Sequence, residues 1–147
     1  MPAHERELLT RLDEGLARIP GITRLRIWDD APDRVAVASI VLDDLPAGLV
    51  AAVLSAEHGI GVRDGRFCAH PLLARLTGDT DAVRVSLGLG STSQDVDRLL
   101  AALSALLTDG PGAQYTLVEG RWAPVADPRD LDPLRLGPGG SGPACGG

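Results

Sequence analysis

Two neighbouring stretches of the chain concentrate the side chains that could do chemistry. Residues 59–72 contain Arg63, Cys68 and His70, and residues 82–87 contain Arg84 between two valines. A planar guanidinium can hold a carboxylate through two parallel hydrogen bonds, and a strand would keep Arg84 in that geometry. A thiol near arginines at the start of a helix has its thiolate favoured by their charge and by the helix dipole. These residue types indicate a carboxylate-binding site beside a reactive thiol.

Each of these side chains also has a plainer interpretation. Arg84 could be salt-bridged to one of the 20 acidic residues of its own surface. A lone cysteine such as Cys68 is commonly buried and inert. Cys68 and His70 together would be two metal ligands, which do not make a site, so no metal site is predicted. Trp122 is expected to anchor a C-terminal hairpin on the core.

The apolar spacing predicts the elements that position these side chains. A helix is predicted over residues 4–19, two strands over 22–28 and 34–42 joined by a turn-rich segment at 29–33, and a helix that opens at Pro46 and ends at Gly59. A short strand at 60–63 then turns into a short helix that has Pro71 in its first turn and runs to residue 76.

The second half of the chain continues the pattern. In the strand 82–87, Val83, Val85 and Leu87 share one side, so Arg84 is aimed to the other. Thr92 and Asp95 resemble a capping box that starts a long helix, which Gly110-Pro111 ends. A small hairpin is predicted from residues 115–118 and 121–123.

This order of elements implies an α/β fold in two layers, an α+β sandwich with a small mixed sheet and helices packed on it. The strand 34–42 is apolar on both faces and is expected to be central. One domain is predicted over residues 1–125, followed by a Pro/Gly-rich flexible tail at 126–147.

Composition excludes several classes of function. The chain has 147 residues, a net charge of −6 and 3% aromatic residues, so it lacks the basic face and the stacking side chains of a nucleic-acid-binding protein. Its charged N-terminus is not followed by an apolar run long enough for a signal peptide or a membrane span, and we expect a cytoplasmic protein. Cys68 and Cys145 do not form a disulfide framework, and both are expected to be thiols.

Taken together, the motifs resemble the C-terminal small domain of the class V aminotransferase family, on its cysteine desulfurase and selenocysteine lyase side. The resemblance runs from residue 8 to about residue 125. It is carried by the order and spacing of Leu54-Ser55-Ala56-Glu57-His58-Gly59-Ile60, Val62-Arg63-x-Gly65, Cys68-Ala69-x-Pro71-Leu72, Arg84-x-Ser86 and Asp95-Val96-Asp97-Arg98-Leu99.

The resemblance implies a role for each candidate residue. Arg84 would pair with the α-carboxylate of an amino-acid substrate, and Arg63 and His70 would be further substrate-binding residues. Cys68 would be the persulfide-forming nucleophile if the chemistry is desulfuration. Phe67 precedes it where desulfurases often have His, a departure that bears on that role.

The same resemblance implies pyridoxal phosphate in the parent family, held as a Schiff base on a lysine. All 14 basic residues of this chain are arginine, so we expect no cofactor binding and no activity from the chain alone. It would be a truncated domain or half of a split enzyme, complemented by a separately encoded large domain that supplies the lysine, or a homo-oligomer. The alternatives are a non-catalytic binding or interaction module on the same fold, and a sulfur carrier that uses Cys68.

Overall fold

The computed structural model describes residues 3–28, 31, 34–78, 80–130 and 134–135. Most of the turn predicted at 29–33, most of the tail beyond residue 130, and Cys145 therefore lie outside the described residues. The elements are α1 Ala3–Leu16, β1 Ile22–Arg24, β2 Val37–Leu42, α2 Ala47–His58, β3 Arg63–Gly65, α3 His70–Thr77, β4 Ala82–Ser86, α4 Ser93–Asp109, β5 Tyr115–Val118 and β6 Arg121–Pro124.

The helix predicted over residues 4–19 ends earlier, at Leu16, because the chain then tightens into turns in which the N–H groups of Arg18 and Ile19 donate to the carbonyls of Gly15 and Leu16. The helices α2 and α4 begin and end at the residues that local signals predict. Pro46 precedes α2, and Gly59 ends it with a left-handed φ of 65° that a residue with a Cβ rarely adopts. Thr92 and Asp95 form the complete capping box of α4, in which each side chain accepts a hydrogen bond from the other residue's backbone N–H. These helix predictions are confirmed.

Four strands form one sheet in the order β1-β2-β4-β3, and every pairing in it is antiparallel. The two-layer α/β architecture and the central place of β2 are thus confirmed, while the sheet is antiparallel rather than mixed. The reason is topological: β2 and β3, joined by α2, run in the same direction, but β4 lies between them and opposes both. A separate two-stranded ribbon joins β5 to β6.

Three strands are shorter or shifted relative to the prediction. β2 starts at Val37 rather than at residue 34, and the N–H of Val37 donates to the Val35 carbonyl at 2.7 Å instead of to a neighbouring strand. β1 ends at Arg24, and one more bond to β2 follows, from the Leu25 N–H to the Ser39 carbonyl at 2.8 Å. The pairing stops there because the guanidinium of Arg24 donates to the next β2 acceptor, the carbonyl of Val37, at 2.9 Å. β3 starts at Arg63 rather than at residue 60 because the N–H of Ile60 is used in the cap of α2, where it donates to the Leu54 carbonyl at 2.9 Å.

The main core lies between one face of the four-stranded sheet and the helices α1, α2 and α4. It contains Leu12, Leu16, Ala38, Ile40, Val50, Val53, Leu54, Val83, Val85, Val96, Leu99 and Leu103. None of the helices within the described ranges has the length and apolar character needed to cross a bilayer. The opposite face of the sheet carries Arg84 and Ser39, and α3 flanks it.

Candidate functional site

Arg84 lies on the open face of the sheet, as its alternation with Val83 and Val85 predicts. Its cross-strand neighbours are Ser39 on β2 and Arg63 on β3. Its Nε atom is buried and has no hydrogen-bond partner. Among the described residues no carboxylate pairs with this guanidinium, so the interpretation of Arg84 as a surface salt bridge finds no support there.

Phe67 covers the Arg84 guanidinium. The distance from Arg84 Cζ to the centre of the Phe67 ring is 5.2 Å, which is within the range of a cation–π interaction. In the sequence, Phe67 stands out only as a departure from a motif. The structure gives it a contact with the candidate carboxylate-binding residue, which the separation of 17 positions along the chain does not reveal.

The loop that carries Phe67 and Cys68 has an uncommon backbone. Both residues have left-handed φ angles, 55° and 57°, a region that bulky side chains rarely occupy. The loop is held on one side by the Arg66–Asp81 ion pair, with Nε and Oδ1 3.0 Å apart. On the other side the N–H of Ala69 donates to the Arg66 carbonyl just before α3 begins. This conformation places the Phe67 ring over Arg84 and leaves Cys68 exposed.

Cys68 opens into a cleft of about 810 Å³, which we call the Cys68 cleft. It is lined by the first half of α2, by β3, by the loop from Arg66 to His70, and by Gly120, Arg121 and Trp122. The structure therefore brings the predicted residues Arg63, Cys68 and His70 to one cavity. Arg84 is not part of the lining but lies next to it, under Phe67 and opposite Arg63.

The contribution of the hairpin to this cleft was missed. Trp122 was expected to pack on the core, but it lies against Gly48 at the start of α2, whereas Tyr115 packs on the core. One feature of the sequence hints at this contribution. Arg121 directly follows Glu119-Gly120, so a basic side chain lies beside the predicted hairpin turn. In the described residues, no three His, Cys, Asp or Glu side chains lie close enough together to hold a metal ion.

A second cavity lies on the open face of the sheet. This apolar groove of about 410 Å³ is lined by Leu25, Ile27, Trp28, Val35, Val37, Phe67, Leu72, Leu73 and Leu76, among others. Three of its side chains are largely exposed, namely Ile27 (53%), Trp28 (67%) and Val35 (74%). Contiguous exposed apolar surface of this kind marks an interaction site or a groove for a ligand.

Known proteins resemble this chain in sequence and in structure. The sequence profile described as Aminotransferase class-V matches residues 1–99. A probable cysteine desulfurase of Xylella fastidiosa is 38% identical over 99 residues, which are 67% of this chain and 23% of that protein. Cysteine desulfurase CsdA of Escherichia coli is 35% identical over 102 residues, 69% of this chain and 24% of that protein.

Solved structures give the same result. The crystal structure of E. coli CsdA in its S-sulfonic acid form has a TM-score of 0.61 and 31% identity, covering 71% of this chain and 25% of that one. The apo cysteine desulfurase of Thermococcus onnurineus has a TM-score of 0.64 and 28% identity, covering 70% and 25%. The chain thus spans about a quarter of the length of these relatives. The match over two thirds of the chain, with the desulfurase-like fold, means that this chain belongs to the class-V aminotransferase family.

Proposed function

We propose that this chain is the C-terminal, substrate-carboxylate-binding domain of a pyridoxal-phosphate-dependent enzyme of the cysteine desulfurase kind. The observation that carries the proposal is the Arg84 guanidinium, which is half-buried, has an unpartnered Nε and is held on a strand under Phe67. A buried N–H group without a hydrogen-bond acceptor is costly, and a substrate carboxylate would supply the missing acceptor.

The neighbourhood of Arg84 supports an anion at this position. Arg63 lies directly opposite it on β3, and like charges in a cross-strand pair destabilise a sheet. Neither arginine has an ion-pair partner within the described ranges. An anion between or beside the two guanidinium groups removes this repulsion, and the bidentate geometry of arginine suits a carboxylate.

The residues of this chain do not fit the covalent attachment of the cofactor. The family implies pyridoxal phosphate, which supplies an electron sink when it is bound through a lysine, and the 147 residues contain no lysine. We therefore assign the lysine to sequence outside these residues, in the same polypeptide or in a separate one. Borohydride reduction of the chain with the cofactor should leave no adduct at an internal residue on peptide mapping.

Cys68 supports desulfuration over transamination within this proposal. Its thiol is exposed in the Cys68 cleft beside Arg63 and His70, where it is accessible to a sulfur atom of a bound substrate. A thiol that served only packing would be buried. The apolar groove with Trp28 and Val35 is, in the same proposal, the surface that the large domain covers.

The proposal is tested in a chimeric enzyme in which this chain replaces the matching region of E. coli CsdA. We expect Arg84→Ala to lower kcat/KM for L-cysteine, because removing one partner of a desolvated charge pair costs roughly 2–5 kcal/mol. This corresponds to about 30-fold to several thousand-fold. Arg84→Lys should recover only part of the loss, since an ammonium cannot reproduce the two parallel bonds.

The controls separate binding from folding and from the cofactor. Arg75 is an exposed arginine of α3 outside the Cys68 cleft, so Arg75→Ala should leave the kinetics unchanged. The cofactor absorbance should be the same in all variants. Cys68→Ala should abolish sulfur transfer if the chemistry is desulfuration and leave transamination intact. A chimera indifferent to Arg84→Ala would refute the proposal.

A further inference from the structure

Phe67 lies between the Cys68 cleft and the apolar groove. Of the described residues that line these two cavities, it alone lines both. We infer that Phe67 is a positioning residue: within this chain, its ring holds the Arg84 guanidinium in the orientation that receives the substrate carboxylate. The inference rests on the proposed function, because it takes Arg84 as the carboxylate-binding residue. It adds to that function the side chain that prepares Arg84.

The contact between the ring and the guanidinium is suited to this role. Arg84 lies on β4 between the buried Val83 and Val85, and its Cζ atom is 5.2 Å from the centre of the Phe67 ring. The ring attracts the cation and excludes water from the face that it covers, but it does not replace a carboxylate as acceptor. The Nε atom of Arg84 is accordingly buried without a hydrogen-bond partner. A side chain that is already held loses less rotamer freedom when a ligand binds, which favours affinity.

A tight turn brings the ring to Arg84. The Arg66 carbonyl accepts a hydrogen bond from the Ala69 N–H at 2.8 Å, and the two residues between them, Phe67 and Cys68, have φ angles of 55° and 57°. Positive φ at both central residues is typical of a type I′ turn, which favours Asn and Gly. Phe and Cys are strained there, and such strain persists only where the surrounding structure compensates for it. The contact of the ring with Arg84 provides part of that compensation.

Two consecutive residues of the loop are tied to the same strand. Arg66 is paired with Asp81, the residue before β4, and Phe67 contacts Arg84, the third residue of β4. Ala69 then leads directly into α3. Because both ends of the turn are fixed, the position of the ring over Arg84 is set by the fold of the loop.

The same turn presents the thiol. Cys68 is the second central residue of the turn, and its side chain is exposed in the Cys68 cleft. The contact of Phe67 with Arg84 therefore also fixes the backbone that carries Cys68. A cysteine substrate whose carboxylate binds Arg84 would in this way have a defined position relative to the thiol that accepts its sulfur.

NMR of the arginine side chains tests the inference on the chain itself. The Nε–H signal of Arg84 is identified by its loss in Arg84→Lys. It should exchange slowly with water in the parent chain and faster in Phe67→Leu, where the ring no longer covers it.

The ligand probe is S-methyl-L-cysteine, which carries the α-carboxylate and has no free thiol. We expect it to shift the Arg84 signal saturably, whereas its carboxamide should not. Phe67→Leu should raise the apparent Kd about two- to tenfold, as expected when one long side chain must be immobilised on binding. Phe67→Tyr should keep the Kd of the parent chain, because the ring remains.

Two further variants separate the ring from the turn and from stability. Phe67→Gly removes the ring but suits a positive φ, so it should raise the Kd as Phe67→Leu does, and it decides the question if Phe67→Leu does not fold. Leu107 is a half-buried residue of α4 that packs on the core on the other side of the sheet. Leu107→Ala should lower the stability of the chain and leave the Kd unchanged.

The outcomes separate this inference from the proposed function. An exchange rate and a Kd that do not respond to Phe67→Leu would overturn it. A parent-like Kd in Phe67→Gly would assign the effect to the turn instead of the ring and would overturn it as well. No saturable shift in the parent chain up to the solubility of the probe would show that Arg84 is not prepared within this chain. None of these results refutes the proposed function, which fails if the chimera is indifferent to Arg84→Ala.

Discussion

Removing the hydroxyl of Tyr115 should loosen the hairpin that forms one wall of the Cys68 cleft. This hydroxyl donates to Glu57 at 2.8 Å, and the ring packs on the edge of the core. Burial, and then the hydrogen bond to the Glu57 carboxylate, raises the pKa of Tyr115 from 10.0 to about 12. We expect Tyr115→Phe to leave the fold intact, because the ring remains, and to lower the free energy of unfolding.

The size of this effect follows from the hydrogen bond. Burial, the larger cause of the raised pKa, penalises only the ionised phenol, so at neutral pH the variant loses only the hydrogen bond to Glu57. Glu57 is exposed, so solvent screens its share, and we expect a loss of about 1 kcal/mol at neutral pH. The folded pKa lies above the unfolded value, so the contribution is complete below about pH 10 and is lost as the pH rises to about 12.

The assay uses the single tyrosine of the chain, so that tyrosinate absorbance reports Tyr115 alone. Native protein should titrate near pH 12, and unfolded protein near pH 10. Glu57→Gln should lower the native pKa but keep it above 10, since burial is the larger cause. Denaturant unfolding of Tyr115→Phe gives the loss of stability. A native pKa near 10, or a variant as stable as the parent chain, would refute the reasoning.

Three further predictions concern stability and assembly. Gly15→Ala should lower the free energy of unfolding by about 1–3 kcal/mol in urea, because the new Cβ would lie 2.2 Å from Leu100 Cδ1. Adding Leu100→Ala should relieve part of this cost, and a Gly15→Ala variant as stable as the parent chain would contradict the prediction. The hydrogen bond from Thr92 lowers the pKa of Asp95, so the capping box should stabilise α4 above about pH 4 and lose its effect as the pH falls through the lowered pKa. In thermal unfolding, Asp95→Asn should therefore lower the Tm at neutral pH and leave it unchanged in acid. The exposed apolar groove should cause concentration-dependent self-association in sedimentation experiments, which Trp28→Ser reduces; a monomer at all concentrations would count against a missing large domain.

Some features of the candidate site could be predicted because they depend on local pattern. Alternation along β4 placed Arg84 opposite the buried Val83 and Val85, and the structure bears this out. Pro71 at the start of α3 placed Cys68 in the loop before a helix. The roles of Arg84, Arg63, His70 and Cys68 remain predictions, because position on an element does not specify what a side chain binds.

Other features could not be predicted because they depend on contacts between distant residues. The antiparallel order of the sheet follows from the insertion of β4 between β2 and β3, and no local pattern specifies which strands become neighbours. The predicted end of β1 was wrong because the Arg24 guanidinium donates a hydrogen bond to a β2 carbonyl, that of Val37, 13 positions away. Likewise, the Phe67 contact with Arg84 depends on a loop backbone that its residue types do not favour.

The sequence by itself determined the helices and their caps, the faces of the strands, and the absence of a lysine that could hold the cofactor. These properties depend on residue type and on spacing within a few positions. Only the tertiary structure decided that the hairpin beyond residue 99 joins the cleft at Cys68. That contact is made by Glu57 with Tyr115, 58 positions apart, and by Trp122 with Gly48, and it exists only once the chain has packed the hairpin against α2.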